Sequence, residues 1–266
     1  MANRKRLGLV GYGYIGRFVY AEILRRPELG IDVDFVFNRS AAHMQDLPAT
    51  QVLDDLHRAA ERSVDLIVEM AHPEVSRRFG EAFLARSDYM MLSTTALADA
   101  ALERRLISAA RAAGTRLFVP HGALVGIDNL VDQREEWVDV TITFRKHPRN
   151  IDFTESGRVA PGEIGAVVLF DGSVRGIASL YPRNVNTMVT CALATVGLDR
   201  CRAVLVSDPT LDVAIAEVVA IDRHGARLES RKIQPVVGVS GTEMLRAQLG
   251  SILRVAGHQA AGLHLV

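Results

Sequence analysis

Two hydrophobic periods divide the chain. Through residue 120, short apolar runs alternate with longer stretches of helical spacing. The runs Leu7–Val10, Asp32–Phe37, Val64–Val68, Tyr89–Leu92 and Arg116–Val119 predict strands. The stretches 14–26, 51–62, 73–87 and 97–113 predict helices. The last of these is rich in helix formers and stops at Gly114, a natural left-handed terminus. Near-continuous apolar strands separated by helices specify a parallel, doubly wound sheet.

From residue 135 the period changes. In EEWVDVTITFRK (135–146), Val138, Val140, Ile142 and Phe144 alternate with polar residues, the mark of a half-buried strand. Strands are also expected at 166–173 and 202–208, and a hairpin turns at Asp222–Gly225. Helical patterns fall at 175–181 and 186–197. This second half reads as a smaller α+β domain with a mixed sheet, spanning 121–240, with the boundary near Pro120. A last helix, 241–256, follows Ser240-Gly-Thr-Glu243, which has capping-box spacing. Residues 241–266 are expected to return to the first domain, residues 1–120.

Composition narrows the function classes. Lys+Arg and Asp+Glu are each 31, so the net charge is zero, which argues against nucleic acid or an anionic membrane as partner. The two cysteines, Cys191 and Cys201, are too few for a disulfide framework and lack metal spacing, so no metal is expected and a reducing, cytoplasmic setting fits. The basic start MANRKR precedes an apolar run, but glycines break that run, so no signal peptide is expected. No apolar run reaches the length of a membrane span.

The chemistry starts at LGLVGYGYIG, where Gly11, Gly13 and Gly16 are spaced G-x-G-x-x-G between a strand and a helix. Gly11 makes the tight turn, Gly13 lets a pyrophosphate approach the backbone, and Gly16 lets helix and strand pack closely. The helix N-terminus, from Tyr14 and Ile15 onward, supplies N–H groups and a positive dipole end. The first domain is therefore expected to be a Rossmann domain holding a dinucleotide. At the end of the second strand, Asn38 stands where an NAD-selective acid is expected, followed by Arg39 and Ser40. That trio suits a 2′-phosphate and favours NADP, with NAD still possible.

Further candidates surround the expected nicotinamide. His72, before Pro73, either reaches the nicotinamide edge or caps a helix. His121 follows the fifth strand at the domain boundary and is a candidate proton carrier. Arg183, Asn184 and Asn186 stand at a helix entry and suit an anion or a carboxamide, or else the asparagines cap that helix. Lys146, between Arg145 and His147, either binds a carboxylate or is a solvated strand end. His224 reads as a turn residue.

Several blocks resemble the L-aspartate dehydrogenase family over nearly the whole chain. They are GYGYIG (11–16), TALAD (95–99), PHGALVGIDNL (120–130), FRKHP (144–148), LFDGSVRGIASLYPRNVNT (169–187) and GLHLV (262–266). PHGAL and the Asn-Thr-Met run are most similar to the branch of animal aspartate-dehydrogenase-domain proteins. The resemblance implies hydride transfer between NAD(P) and a small amino acid, in the direction of reductive amination of oxaloacetate through iminosuccinate, and a homodimer. It also implies that Ala123 lies against the cofactor and that Asn186 touches the nicotinamide or its ribose. The chain departs from the family in one place. The family's histidine aligns with Ala216, or with Ile215, in SDPTLDVAIAEVV (207–219). An Asn-Pro-Lys-Thr-Ser element is replaced by VVGVSGTE (236–243). His121 or a water could take the proton role, the substrate could be another imine or ketone, or the chain could bind NADP without turnover.

Overall fold

The computed structural model describes residues 4–122, 124–162 and 165–257. The first domain is an open parallel sheet of β1 (Lys5–Val10), β2 (Ile31–Phe37), β3 (Val52–Leu53), β4 (Leu66–Glu69), β5 (Asp88–Met91) and β6 (Leu117–Phe118). Their spatial order is β3-β2-β1-β4-β5-β6, with every pairing parallel. The order reverses beside β1, which opens a crevice at the carboxyl ends of β1 and β4. Helices α1 (Tyr14–Arg25), α2 (Pro73–Leu84) and α3 (Ala100–Ala113) cross between strands.

Local chemistry sets these helix limits. The Asp99 carboxylate accepts from the Ala101 and Leu102 N–H groups at 2.9 and 3.1 Å and starts α3. Gly114, at φ +70°, ends it in the left-handed conformation. Residues Thr94–Ala98 before Asp99 form a separate 3-10 turn. The helix expected at 51–62 is absent. The segment pairs as β3 and then winds as a 3-10 turn over Leu56–Glu61, nucleated when the Asp55 carboxylate accepts from the His57 N–H.

The second sheet is mixed. It contains β7 (Trp137–Lys146), β8 (Val167–Ser173), β9 (Arg202–Ser207), β10 (Val213–Asp222), β11 (Arg227–Val237) and β12 (Ser240–Gly241). Their order is β12-β11-β10-β7-β9-β8, and the β7–β9 pair is parallel. Helix α4 (Ile127–Asp132), unforeseen in the sequence, precedes β7, and the Trp137 indole donates to the Leu130 carbonyl at its end. Helices α5 (Val174–Leu180) and α6 (Asn186–Ala194) cover the inner face, where Val140, Ile142, Val218 and Ala220 are buried with Met188 and Val189.

The chain ends with α7 (Met244–Ala256), whose Ile252 and Ala256 join the first domain's core beside Leu7, Leu9, Val19 and Ile23. The expected capping box is not formed. Ser240 is a strand residue paired with Val237, and Glu243 makes no side-chain cap; its N–H instead donates to the Gln234 side chain at 3.2 Å.

Candidate active site

Two joined clefts lie between the domains. The larger, about 820 Å³, runs from Gly11 and Gly13 past Phe37, Asn38 and Arg39 to Asp152 and Arg183. The smaller, about 230 Å³, lies between the ends of β1, β4 and β5 and the inner face of the second sheet. Met70, Ala71, His72, Pro182 and Arg183 line both.

The glycine loop forms one wall and its geometry fits a dinucleotide. Gly11 has φ +107°, and a Cβ there would stand 2.6 Å from the Met70 carbonyl oxygen. A Cβ on Gly16 would collide with the Gly11 carbonyl oxygen, so α1 is pressed against its own loop. A Cβ on Gly13 would meet nothing within 4 Å. The open side of the loop is thus at Gly13, the N-cap of α1, which provides no side chain to satisfy the first-turn N–H groups. Tyr14 and Ile15 continue this wall into the smaller cleft.

At the end of β2, Asn38 has a structural task. Its Oδ1 accepts from the Tyr12 N–H at 3.2 Å and its Nδ2 donates to the Ser40 carbonyl at 3.1 Å, tying β2 to the glycine loop. Arg39 is exposed on the larger cleft and makes no ion pair among the described residues. Ser40 follows Arg39 but does not line either cleft.

His72 caps α2, its Nδ1 accepting from the Glu74 N–H at 3.2 Å, while its ring stays in the lining of both clefts. Beside it, the buried Glu69 carboxylate accepts from the Ala71 N–H (2.7 Å), the Ser93 N–H (3.0 Å) and the Ser93 hydroxyl (2.8 Å). Burial pushes this carboxyl above its ordinary range, and those hydrogen bonds oppose the shift. Glu69 thereby joins the β4 and β5 ends that form the cleft floor. Sequence reading missed it, although a lone acid closing the buried run Leu66–Val68 was its signal.

The asparagines do not cap α6. Its N-cap is Val185, without a side-chain bond. Asn184 is buried, accepting from the Asp152 N–H at 2.8 Å and donating to the Asn150 carbonyl at 3.0 Å. Asn186 lines the smaller cleft, and its Oδ1 accepts from the Thr95 N–H at 3.1 Å. That bond fixes the amide orientation, and Nδ2 has no protein partner among the described residues. The Thr94 hydroxyl also donates to the Asn186 carbonyl at 2.7 Å, so the turn at 94–98 is clamped to α6. Arg183 lines both clefts and is ion-paired to Asp152 at 2.7 Å.

Lys146 ends the inward row Val140, Ile142, Phe144 on β7 and is 6% exposed, not a solvated strand end. Its Nζ donates to the Val239 carbonyl at 3.0 Å and pairs with no carboxylate among the described residues. Burial alone lowers its pKa from 10.5 to about 8. Ala214 and Ala216 share this cleft, and Ala216 pairs with Phe144 on one side and Lys232 on the other. Two glutamines also missing from the sequence reading, Gln234 and Gln248, line it.

His121 stands apart from this lining and borders neither cleft. The turn through Gly122, at φ +59°, leaves it half-buried against α7, where burial and then the Arg254 charge lower its pKa. Ala123 and the 262–266 block lie outside the described residues. The described residues hold no cluster of His, Cys, Asp and Glu able to bind a metal, and no helix long and apolar enough to cross a membrane.

A glycine-cradled dinucleotide site facing a small cleft on a second mixed sheet defines the nicotinamide-dependent dehydrogenase class. Residues 11–120 match the homoserine dehydrogenase NAD-binding domain, and residues 128–235 match the aspartate dehydrogenase C-terminal domain. The chain is 37% identical over 220 residues to an aspartate dehydrogenase domain-containing protein of Xenopus tropicalis, covering 79% of this chain and 76% of that one. It is 34% identical over 226 residues to L-aspartate dehydrogenase of Brucella anthropi, covering 83% and 84%. The crystal structure of aspartate dehydrogenase from Thermotoga maritima superposes with a TM-score of 0.73 at 26% identity, covering 95% of both chains. The chain belongs to the aspartate dehydrogenase family.

Proposed function

We propose that this chain interconverts L-aspartate and oxaloacetate plus ammonia through iminosuccinate, with NADP preferred over NAD and reductive amination as the favoured direction. The observation that carries this reading is the charge of the smaller cleft. Its lining holds Lys146 and Arg183 and, among the described residues, no carboxylate. A buried ammonium without a counter-charge is costly, and a dicarboxylate substrate supplies the missing anion.

When bound, the nicotinamide supplies hydride transfer at its ring carbon. The protein's part is placement. The loop Gly11–Gly16 and the α1 N-terminus hold the pyrophosphate, with Tyr14 and Ile15 at the nicotinamide end. Asn38 keeps the β2 end closed against that loop, and Arg39 meets the 2′-phosphate. His72 and the Nδ2 of Asn186 face the nicotinamide side, and Asn186 orients its carboxamide or ribose. Arg183 holds a substrate carboxylate while sharing its charge with Asp152, and Lys146 in its ammonium form complements the rest of the dianion. His121 takes no part in this arrangement.

A homodimer is part of the same reading. The second sheet carries exposed Ile233 and Val168 on the cross-strand row through Arg145, which alternates with the inward row of Phe144 and Lys146. Sedimentation at micromolar concentration checks it, and a monomer there would remove the dimer.

The activity test is oxidation of NADPH, and of NADH beside it, with oxaloacetate and ammonium at alkaline pH. Ammonium-dependent turnover, faster with NADPH, is the expected result. Silence with oxaloacetate, while nicotinamide fluorescence reports bound cofactor, would overturn aspartate as the substrate. Ala216 gives that outcome a concrete form, since a cleft walled by alanines also accommodates a bulkier imine.

A further inference from the structure

We propose that Lys146 is the catalytic acid–base group of the smaller cleft and moves the proton of the substrate's nitrogen. The inference rests on the amino-acid dehydrogenase reading above. A proton carrier must line the cleft, reach the reacting nitrogen and change charge near the working pH. His72 spends its Nδ1 capping α2. Arg183 is committed to its ion pair with Asp152. His121 lies outside the cleft. Lys146 lines it, buried, on a strand rather than a loop, with one of its three donors committed to the Val239 carbonyl.

Its surroundings fit an amine and its proton. The flanking positions on β10 are the alanines 214 and 216, which leave the space before the ammonium open. Gln248 lines the same cleft, is 2% exposed, and has an Oε1 that accepts no hydrogen bond among the described residues. That is a buried acceptor awaiting an N–H, as a substrate amine or iminium offers.

The charges on neighbouring elements do not set Lys146's behaviour. Lys232 on β11 lies 4.0 Å from the Glu243 carboxylate. Asp208, after β9, accepts from the Thr210 N–H and hydroxyl. Arg145, on the opposite face of β7, pairs with Glu217 at 3.4 Å, and His147 accepts from the Arg149 N–H. The lowered pKa comes from burial.

In the oxidative direction the neutral Lys146 amine takes one proton from the substrate ammonium and becomes an ammonium. The nitrogen lone pair so released forms the C=N bond while the Cα–H electron pair leaves as hydride to the oxidised nicotinamide. The products are an iminium, a protonated Lys146 and the reduced cofactor. In the reductive direction the protonated Lys146 returns that proton to the new amine.

The test compares wild type with K146R and K146M in aspartate oxidation across pH 6–10. Arginine keeps an anchoring charge and cannot release a proton, whereas methionine keeps neither. Wild-type kcat/KM is expected to rise with pH to a plateau, with a midpoint near 8. Both variants are expected to lose about 100-fold or more in kcat at saturating aspartate, and to lose the pH limb. A second readout needs no turnover. In protein labelled with carbon-13 at lysine Cε, the resonance missing from K146R is expected to titrate near pH 8. K146R with wild-type kcat and an unchanged limb would reduce Lys146 to a carboxylate anchor, as would a resonance still charged above pH 10. A wild type unable to oxidise aspartate would sink the functional reading and this proposal with it. An active wild type beside an active K146R would sink the proposal alone.

Discussion

At the end of β1 the chain meets the larger cleft with glycines, and the wall it presents there is backbone. At the end of β7 it meets the smaller cleft with Phe144 and Lys146, and the wall is side chain. The first wall depends on what is missing, since a Cβ at Gly11 or Gly16 would strike a carbonyl oxygen. The second depends on one buried ammonium without a paired carboxylate. A backbone wall tolerates little change, because its donors cannot be re-aimed without moving the chain. A side-chain wall changes its chemistry one residue at a time while the sheet stays put. By that contrast, the chemistry of the smaller cleft can change at a position such as Ala216 without disturbing the cofactor loop.

The sharpest break of this contrast is Gly11→Ala. The position combines φ +107° with a Cβ 2.6 Å from the Met70 carbonyl oxygen. Strain at such a backbone is about 1–3 kcal/mol, before the steric contact is added. NADPH affinity, read by nicotinamide fluorescence, is expected to fall about 100-fold, or roughly 3 kcal/mol. Gly114→Ala is the control, since φ +70° is also left-handed there but a Cβ would meet no non-neighbouring atom of the described residues within 4 Å. It should cost about 1 kcal/mol of stability and leave cofactor binding alone. Equal losses of binding in the two variants would show that the loop's shape is not what the cofactor reads.

On the other wall, Lys146→Met is expected to stabilise the protein at neutral pH. Burial lowers the lysine from 10.5 to about 8, so the folded state holds the charged form at a disadvantage. At pH 7 that disadvantage is up to about 3 kcal/mol. Between about pH 8 and 10.5 the unfolded chain binds the proton and the folded chain does not, so wild-type stability rises with pH across that window. Melts of both proteins should show the methionine variant ahead at pH 7, with the gap closing as pH climbs towards 10.5. A gap that stays constant over this range would mean that the ammonium is already neutralised in the fold.

The two walls also differed in how legible they were. The glycine loop, the strands feeding it and the parallel order follow from spacing and from apolar runs, because backbone geometry constrains residue type locally. Lys146 was legible only in part. It was read as a carboxylate binder or a solvated strand end; the alternation through Val140, Ile142 and Phe144 continues to it, but its depth depends on β10 and α7, which lie far away in sequence. Asn186 was read as a cap or a ligand contact, and its bond to Thr95 belongs to neither, since it spans 91 positions. The helix expected over 51–62 failed because Asp55 bonds its own turn, a competition that helical periodicity does not register. His121 follows β6, as its place in the sequence implies, but it is half-buried beside α7 and outside both clefts, a placement set by contacts distant in sequence.

Asn186 ties α6 of the second domain to the 94–98 turn of the first, and Asn186→Ala tests that junction. Losing the acceptor for the Thr95 N–H is expected to cost about 1–2 kcal/mol in chemical denaturation. Asn186→Asp keeps an oxygen for Thr95 and removes the Nδ2 donor. If Nδ2 serves the nicotinamide side, the aspartate variant should hold its stability and still bind NADPH more weakly. Full binding by the aspartate variant would leave Asn186 a structural clamp only.

The smallest expected effect is at Arg39, where a side chain decorates the backbone wall. Arg39 is exposed, lines the larger cleft and is engaged by no carboxylate among the described residues. A guanidinium in that position gains a charge-assisted hydrogen bond only when a 2′-phosphate arrives. Arg39→Ala is therefore expected to weaken NADPH about tenfold, or about 1.4 kcal/mol, with NADH unchanged. The loss should shrink as salt is raised, because an exposed pair is screened within about 8–10 Å at physiological ionic strength. Equal weakening of NADH and NADPH would instead place Arg39 over the adenine, a contact common to both cofactors. The preference for NADP would then have to come from Asn38 alone, which removes a repulsion but adds no attraction.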